Sequence, residues 1–173
     1  MVELRGLLGP DYYYTRNNGI FSPYAGLGYR YLNDDTSGLI SSTGKYGYER
    51  ESNYYYIPIG ADFTIAIKNN WAIGANLEYD LFVIGHQISH LSDVDPSLND
   101  LDNKQNNGYG LRGSVKLIKQ TESIDFVFEP FFRYWNIGKS DDANLTDEDV
   151  IVGYGYEPKN NSTEYGLKLA AKF

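Results

Sequence analysis

Any acid–base or nucleophilic chemistry in this chain has to start from the segment GHQISH. His86 and His90 are its only histidines. A general base or an imidazole metal ligand must come from them, or be replaced by a carboxylate or a Lys. Ser89, Asp93 and Asp95 follow within a few residues. A hydroxyl, an imidazole and a carboxylate are the residue types of a hydrolytic site, where the base takes the hydroxyl proton and the acid orients the base. Spacing does not add to the composition here. His86 and His90 share a face at i, i+4 only on a helix, and this segment reads as the end of a strand running into a loop. The plainer reading is a pair of solvated loop histidines, and no catalytic residue is assigned.

The next segment, DVDPSLNDLDN from Asp93, is rich in oxygen ligands of the kind calcium takes. It lacks the glycine-centred spacing of an EF-hand. The plainer reading is again a solvated acidic loop, one that divalent cations could bridge to lipid headgroup phosphates. GLGYR at Gly26 is no phosphate cradle, because no helix follows it, and NNST at Asn160 fits a glycosylation sequon by pattern alone. Cysteine is absent, which removes disulfides, thiolate metal sites and a thiol nucleophile. With a formal charge of −8, the chain lacks the basic face that nucleic acid requires. No metal or other cofactor is assigned.

The elements that would position these residues are legible in YYYIPIGADFTIAIKNNWAIGANLEYDLFVIG, residues 54–85. Every second residue from Tyr55 to Ile67 is apolar, and after Lys68, Asn69 and Asn70 the alternation resumes from Trp71 to Val83. The intervening positions carry Gly60, Asp62, Gly74, Asn76, Glu78 and Asp80. Period-2 alternation over this length predicts two long strands joined by a tight turn. The same pattern predicts seven strands, over residues 2–15, 20–32, 54–67, 71–84, 108–119, 124–135 and 162–173. A turn is expected at Arg16 to Gly19. Short connections alternate with three long acidic stretches, which implies an antiparallel meander in a single domain, residues 1–173. The longest run of apolar residues and glycine, VIVGYGY from Val150, has seven residues. A spanning helix needs roughly 20.

What remains is which face of the sheet is inside. The polar face is spaced with glycines and carries charges of both signs in mid-strand, at Asp62, Glu78, Asp80, Arg112, Lys116, Glu129, Arg133, Glu164 and Lys168. Small residues and opposite charges suit a narrow barrel interior, where every enclosed charge needs a partner. The apolar face is aliphatic in mid-strand (Ile59, Ile65, Leu77). Toward the strand ends it carries rings at Tyr55, Trp71, Tyr79, Tyr109, Tyr134 and Phe173. An apolar band between aromatic girdles is the pattern of a bilayer-spanning barrel. The expectation is an all-β fold: an antiparallel up-and-down transmembrane β-barrel of about eight strands, seven of them visible. Short turns would face the periplasm and long loops the exterior. The nine charges would form a structural network plugging the bore, so a wide general pore is not expected. A soluble lipocalin-like carrier with an apolar cavity satisfies the alternation equally well.

The ending STEYGLKLAAKF resembles the C-terminal signal strand of bacterial outer-membrane barrels, with Tyr165, Leu167, Leu169, Ala171 and Phe173 at the matching positions. The segments PYAGLGYRYLNDD, ERESNYYYIPIG, ISHLSDVDP, NNGYGLRGS, EPFFRYW and EPKNNSTEYGL look like a family of small outer-membrane β-barrel proteins of Gram-negative bacteria. The resemblance covers nearly the whole chain. It implies fold and an outer-membrane location, with the lipid bilayer and its lipopolysaccharide as partners and the barrel-assembly machinery engaging the last strand. It brings no catalytic residues to carry over. The resemblance implies no activity; the role expected of such a plugged barrel with acidic loops is structural or surface-interacting, with an enzyme at the extracellular rim, acting on lipid or peptide, as the alternative. Seven strands cannot close an antiparallel barrel, since the first and last would run parallel. The expectation is that strand sequence upstream of ELRG has been trimmed, or that VIVGYGY supplies an eighth strand or a loop strand. A trimmed or mature chain also accounts for VELRG following Met1 without a secretory signal.

Overall fold

A computed structural model describes residues 1–14 and 18–172. The fold is all-β and antiparallel. Its strands are β1 (Val2–Leu8), β2 (Tyr12–Tyr14), β3 (Gly19–Asp35), β4 (Glu49–Ala66), β5 (Trp71–Ser89), β6 (Leu101–Gln105), β7 (Gly108–Lys119), β8 (Asp125–Ile137), β9 (Ala143–Asp147), β10 (Val150–Gly155) and β11 (Asn160–Lys172). One sheet runs in the order β1-β3-β4-β5-β7-β8-β11. Strand β2 continues the line of β1 along β3, and β6 continues that of β7 along β5. Pro10 and its neighbours Gly9 and Asp11 separate β1 from β2. Such a break is where a ring without an N–H belongs.

Two short turns follow from their residues. Asn69 and Asn70 both have positive φ, at 60° and 59°. Asn tolerates the left-handed region, and two such residues in succession match the twist of a hairpin. At the β7–β8 turn the Thr121 hydroxyl donates to the Ile124 carbonyl at 2.6 Å and accepts from the Ile124 N–H at 3.0 Å. Of the turn expected over Arg16 to Gly19, Arg16 and Asn17 lie outside the described residues, as does Thr15 of the first expected strand.

The sheet is curled. Strands lie about 4.8 Å apart in a sheet, so β1 and β7, four places apart in the order, would be roughly 19 Å apart if it were flat. Yet Arg112 Nη1 on β7 donates to Glu3 Oε2 on β1 at 3.0 Å. Likewise the Arg30 guanidinium on β3 sits 5.3 Å from the Trp135 ring centre on β8. Glycine makes part of this closeness. A Cβ at Gly28 would lie 2.2 Å from the Tyr56 ring, so the bare backbone lets that ring lie across β3.

The pairing extends some expectations and corrects others. Strands β3, β4 and β5 run several residues past their expected ends, because backbone pairing continues through Asp35↔Glu49 and Arg50↔Ser89 although the apolar alternation has stopped. The second long stretch contributes β6. Of the two expectations for VIVGYGY, the loop strand holds and the eighth strand of the sheet does not: Val150–Gly155 form β10, which pairs with β9 in a separate two-stranded hairpin turned at Glu148 and Asp149, both at positive φ. The closed barrel is also absent from the pairing. Among the described residues β1 and β11 are the sheet's two edges, and both run from the long-connection end toward the short-turn end.

One irregularity decides which side chains face inward. Tyr55 pairs with Ile84 and Tyr56 with Phe82, so Val83 is an extra residue on β5. This bulge switches the alternation. Before it Glu78, Asp80 and Phe82 are buried; after it Gly85, Gln87 and Ser89 are.

Candidate functional site

The inward face gathers charge around Arg112. Its Nε donates to Asp80 Oδ2 at 2.7 Å and lies 3.1 Å from Glu78 Oε1, without the alignment of a hydrogen bond. Its two terminal nitrogens hold the Glu3 carboxylate as a fork, and one of them also reaches the Tyr56 hydroxyl at 3.1 Å. Tyr56 in turn donates to Glu3 at 2.7 Å. A planar guanidinium with five donors is suited to such a hub. The Glu78 carboxylate accepts from Arg5 and, at 2.7 Å, from the Tyr24 hydroxyl. Asn76 donates to Tyr24 at 2.7 Å and to Asp62 at 3.1 Å, and Asp62 pairs with Lys116.

A second group lies along β8 and β11. Glu129 accepts from Ser114 at 2.7 Å and pairs with Lys168 at 3.4 Å. Arg133 stands 3.6 Å from Glu164 and 3.9 Å from Glu3. All nine charges singled out in the sequence therefore face inward, but they are not equally enclosed. Glu78, Asp80, Arg112 and Glu129 are buried; Asp62, Lys116, Arg133 and Glu164 are half-buried; Lys168, on the edge strand β11, is exposed.

Sequence reasoning left Glu3, Arg5, Tyr24, Tyr56, Asn76 and Ser114 out of this network. The signal for Glu3 and Arg5 was present, since they alternate with Leu4 and Gly6. Tyr24 and Tyr56 gave none, because an aromatic ring on a polar face is identified as a hydrogen-bonding group only by its neighbours. Of the terminal positions, Tyr165, Leu167, Leu169 and Ala171 lie exposed on the outer face of β11. Phe173 lies outside the described residues.

The loop-end histidines do not assemble the arrangement sought in the sequence. His86 Nδ1 lies 3.0 Å from Asp102, and His90 Nδ1 lies 2.8 Å from Asp100. Ser89 faces inward and is buried. Asp93 accepts from the Glu49 N–H at 3.0 Å, and Asp95 is occupied by Ser97. The serine that shares a partner with His90 is Ser92, whose hydroxyl donates to Asp100 at 2.7 Å. Serine and histidine thus both bond the same carboxylate, and the Ser92 hydroxyl donates to Asp100 and not to the imidazole. The bond to Asp100 raises the His90 pKa above its ordinary value, against the smaller effect of burial. Burial of Asp100 opposes its charge, but the bonds from Ser92 and His90 outweigh it and hold that carboxyl below the usual range. Among the described residues no three or more His, Cys, Asp or Glu side chains are grouped to hold a metal ion.

Fold and interior together define an antiparallel all-β protein whose inner face joins a charge network to a small cluster of Tyr54, Tyr56, Phe82, Trp135 and Ile137, while most of its large aliphatic side chains lie on the outer face. Comparison with known proteins adds no identity to this class: the chain matches no family model and no curated protein.

Proposed function

We propose that the chain is an integral outer-membrane β-barrel of a Gram-negative bacterium with a structural or surface-interaction role, its bore plugged by charge and not open as a wide pore. The observation that carries this reading is the polarity of the two faces. Leu27, Leu77 and Leu169 on the outer face are 73%, 68% and 73% exposed, while Glu78, Asp80 and Arg112 are at 2%, 0% and 5%. In water that arrangement forgoes the burial that drives folding. In a bilayer the outer face meets hydrocarbon and the inner charges neutralise one another.

Rings on neighbouring strands support the reading further. Tyr29 and Tyr55 are 5.1 Å apart, Tyr79 and Tyr109 stack at 6.1 Å, and Tyr109 and Tyr134 are 6.0 Å apart. Tyrosine clustered on an outer face is the composition of an interfacial girdle. A soluble carrier would instead enclose Ile59 and Leu77, and both lie on the outside. In this reading the partners are the bilayer with its lipopolysaccharide and the assembly machinery at the last strand, and the acidic connections meet divalent cations outside. Refolding into phospholipid vesicles should give protease protection and heat-dependent gel mobility. A monodisperse, stable fold in detergent-free buffer would defeat the proposal.

A further inference from the structure

The sheet ends on two open edges, β1 and β11, and the curl brings them to opposite sides of one gap. A single atom spans it. Arg133 Nη1 on β8 lies 3.9 Å from Glu3 on β1 and 3.6 Å from Glu164 on β11. A cavity of about 170 Å³ has Arg5 of β1 and Lys168 of β11 in its wall, together with Glu129 and Arg133 of β8. Inward side chains of the central strands, such as Asp80 and Arg112, are closed off from solvent. Those of the two edges are not. Leu7 is 45% exposed, and the Lys168 side chain 64%. Arg5 is exposed although its side chain is only 24% so, which leaves its backbone as the accessible part.

The width and direction of this slot follow from strand geometry. Neighbouring strands lie about 4.8 Å apart, so one vacant place sets two edges about 10 Å apart, within reach of two carboxylates on one guanidinium. Parity gives the same answer. Neighbours in the sheet are antiparallel and its two edges run the same way. One strand running opposite to both pairs antiparallel on each side, and two strands cannot. Among the described residues the chain has none to spare, because β9 and β10, the strands outside the sheet, pair with each other. A second copy lying the same way up would bring edges of the same direction, and its pairing would be parallel.

The chemistry of the missing strand follows from its neighbours. The outer faces of both edges are apolar, with Leu4 and Leu8 on β1 and Leu167 and Leu169 on β11 exposed. On the inner face the charges beside the slot are already matched, Arg5 by Glu78, Lys168 by Glu129 and Glu164 by Arg133. A further charge there would be enclosed without a partner. We propose that the slot between β1 and β11 is an acceptor site for one extended strand of about ten residues from a partner polypeptide, antiparallel to both edges, with apolar residues outward alternating with Gly, Ser or Thr inward. The proposal deepens the barrel reading and rests on it only for the apolar side of the pattern. A chain that took up such a strand in detergent micelles yet stayed unprotected in vesicles would sink the membrane reading and leave the slot intact.

The chain has no cysteine, so a pair introduced at Leu4 and Tyr165 reports the gap alone. A disulfide needs Cα atoms within about 7 Å of each other. In L4C/Y165C refolded in detergent, oxidation should leave the two thiols free, while a bismaleimide spanning about 10 Å, the width of one vacant place, should join them within one chain. The unsubstituted chain in the same micelles is then given a synthetic peptide of about ten residues in which Leu alternates with Gly, Ser and Thr. Amides of β1 and β11 should exchange with deuterium about tenfold or more slowly on binding, while those of β5 stay as they were, read by NMR. The same peptide N-methylated at every second residue has lost the donors to one edge and should bind about tenfold or more weakly. A version with Glu at two inward positions should not bind. A disulfide between the two cysteines, no added protection at either edge, or equal binding of the N-methylated peptide would each overturn the assignment. So would edge protection that rises with protein concentration without peptide, which would make the occupant a second copy.

Discussion

Replacing Arg112 with Met tests the inside-out reading at its centre. Arg112 is the only cation paired with Asp80 among the described residues, and Asp80 is fully buried. Glu78 would keep Arg5, and Glu3 would keep Arg133 at 3.9 Å. The substitution therefore strands one enclosed carboxylate, and also removes two bonds to Glu3 and one to Tyr56. Taking one partner from a buried ion pair costs about 3–5 kcal/mol. Met replaces the stem of Arg and leaves little cavity, so nearly all of the loss is electrostatic. The R112M/D80N double variant should recover a large part of it, because Asn has the shape of Asp without the charge. That shape is needed, since a Cβ at Gly110 would stand only 2.7 Å from Asp80 Oδ2 and the space beside the carboxylate is tight. Coupling between such neighbours is of order 0.5–3 kcal/mol. Urea unfolding in phospholipid vesicles, followed by Trp135 emission, measures all three chains; the Arg112 guanidinium is 5.9 Å from that ring. R112M within about 1 kcal/mol of the parent would refute the reasoning, as would costs that simply add in the double variant.

Leu77→Arg places a charge on the outer face in mid-strand, and should cost about 2–4 kcal/mol of stability in a bilayer; an effect near zero in the same vesicle assay would say that Leu77 faces water. Gly28→Ala puts a methyl 2.2 Å from the Tyr56 ring, and the displaced ring should lower stability by about 1–3 kcal/mol, read as a shift in the unfolding midpoint. His90, with its pKa raised by Asp100, should titrate above the ordinary value of about 6.5 by NMR and return toward it in D100N. Because the folded value is the higher one, the pair's contribution is fully present below about pH 6.5 and is lost as pH rises through the folded pKa; unfolding midpoints that do not fall across that window would count against the contact.

Strand identity, antiparallel order and inward polarity were legible because each rests on a single local signal, the period of two. Tyr55 to Ile67 and Trp71 to Val83 carry it without interruption, and the pairing Ile59↔Tyr79 and Phe63↔Ala75 follows once the Asn69–Asn70 turn is placed. The strand extensions were not legible for the opposite reason. Glu49 to Asn53 and Asn33 to Asp35 are held by backbone pairing and by polar links such as Asn33 to Glu49 at 2.6 Å. Polar residues held in this way leave no apolar period to read. The hairpin β9–β10 was hidden similarly, since an apolar run of that length fits a sheet strand or a loop strand equally well.

The facing of the last residues of β5 was illegible for a sharper reason. Read with an unbroken period, His86 falls on the inward face with Asp80 and Phe82, and Gln87 falls outside with Leu81 and Val83. One extra residue at Val83 reverses both assignments. No side chain near it announces the bulge; it exists because Tyr55 and Tyr56 pair across two residues on one strand and one on the other. That reversal places the Gln87 amide inside, where its oxygen accepts from Ser52, and His86 beside Asp102 on the outer side. The histidine that first suggests chemistry in the sequence is thereby turned away from the interior, and an amide that suggests none is turned into it. Deleting Val83 should remove the bulge and leave both assignments as they are, because with the extra residue gone Phe82, Gly85, Gln87 and Ser89 fall inward on an unbroken alternation and Ile84 and His86 fall outward. NMR contacts placing His86 beside Phe82 on the inner face of a folded Val83 deletion, and no longer beside Asp102, would show that the extra residue does not set the alternation.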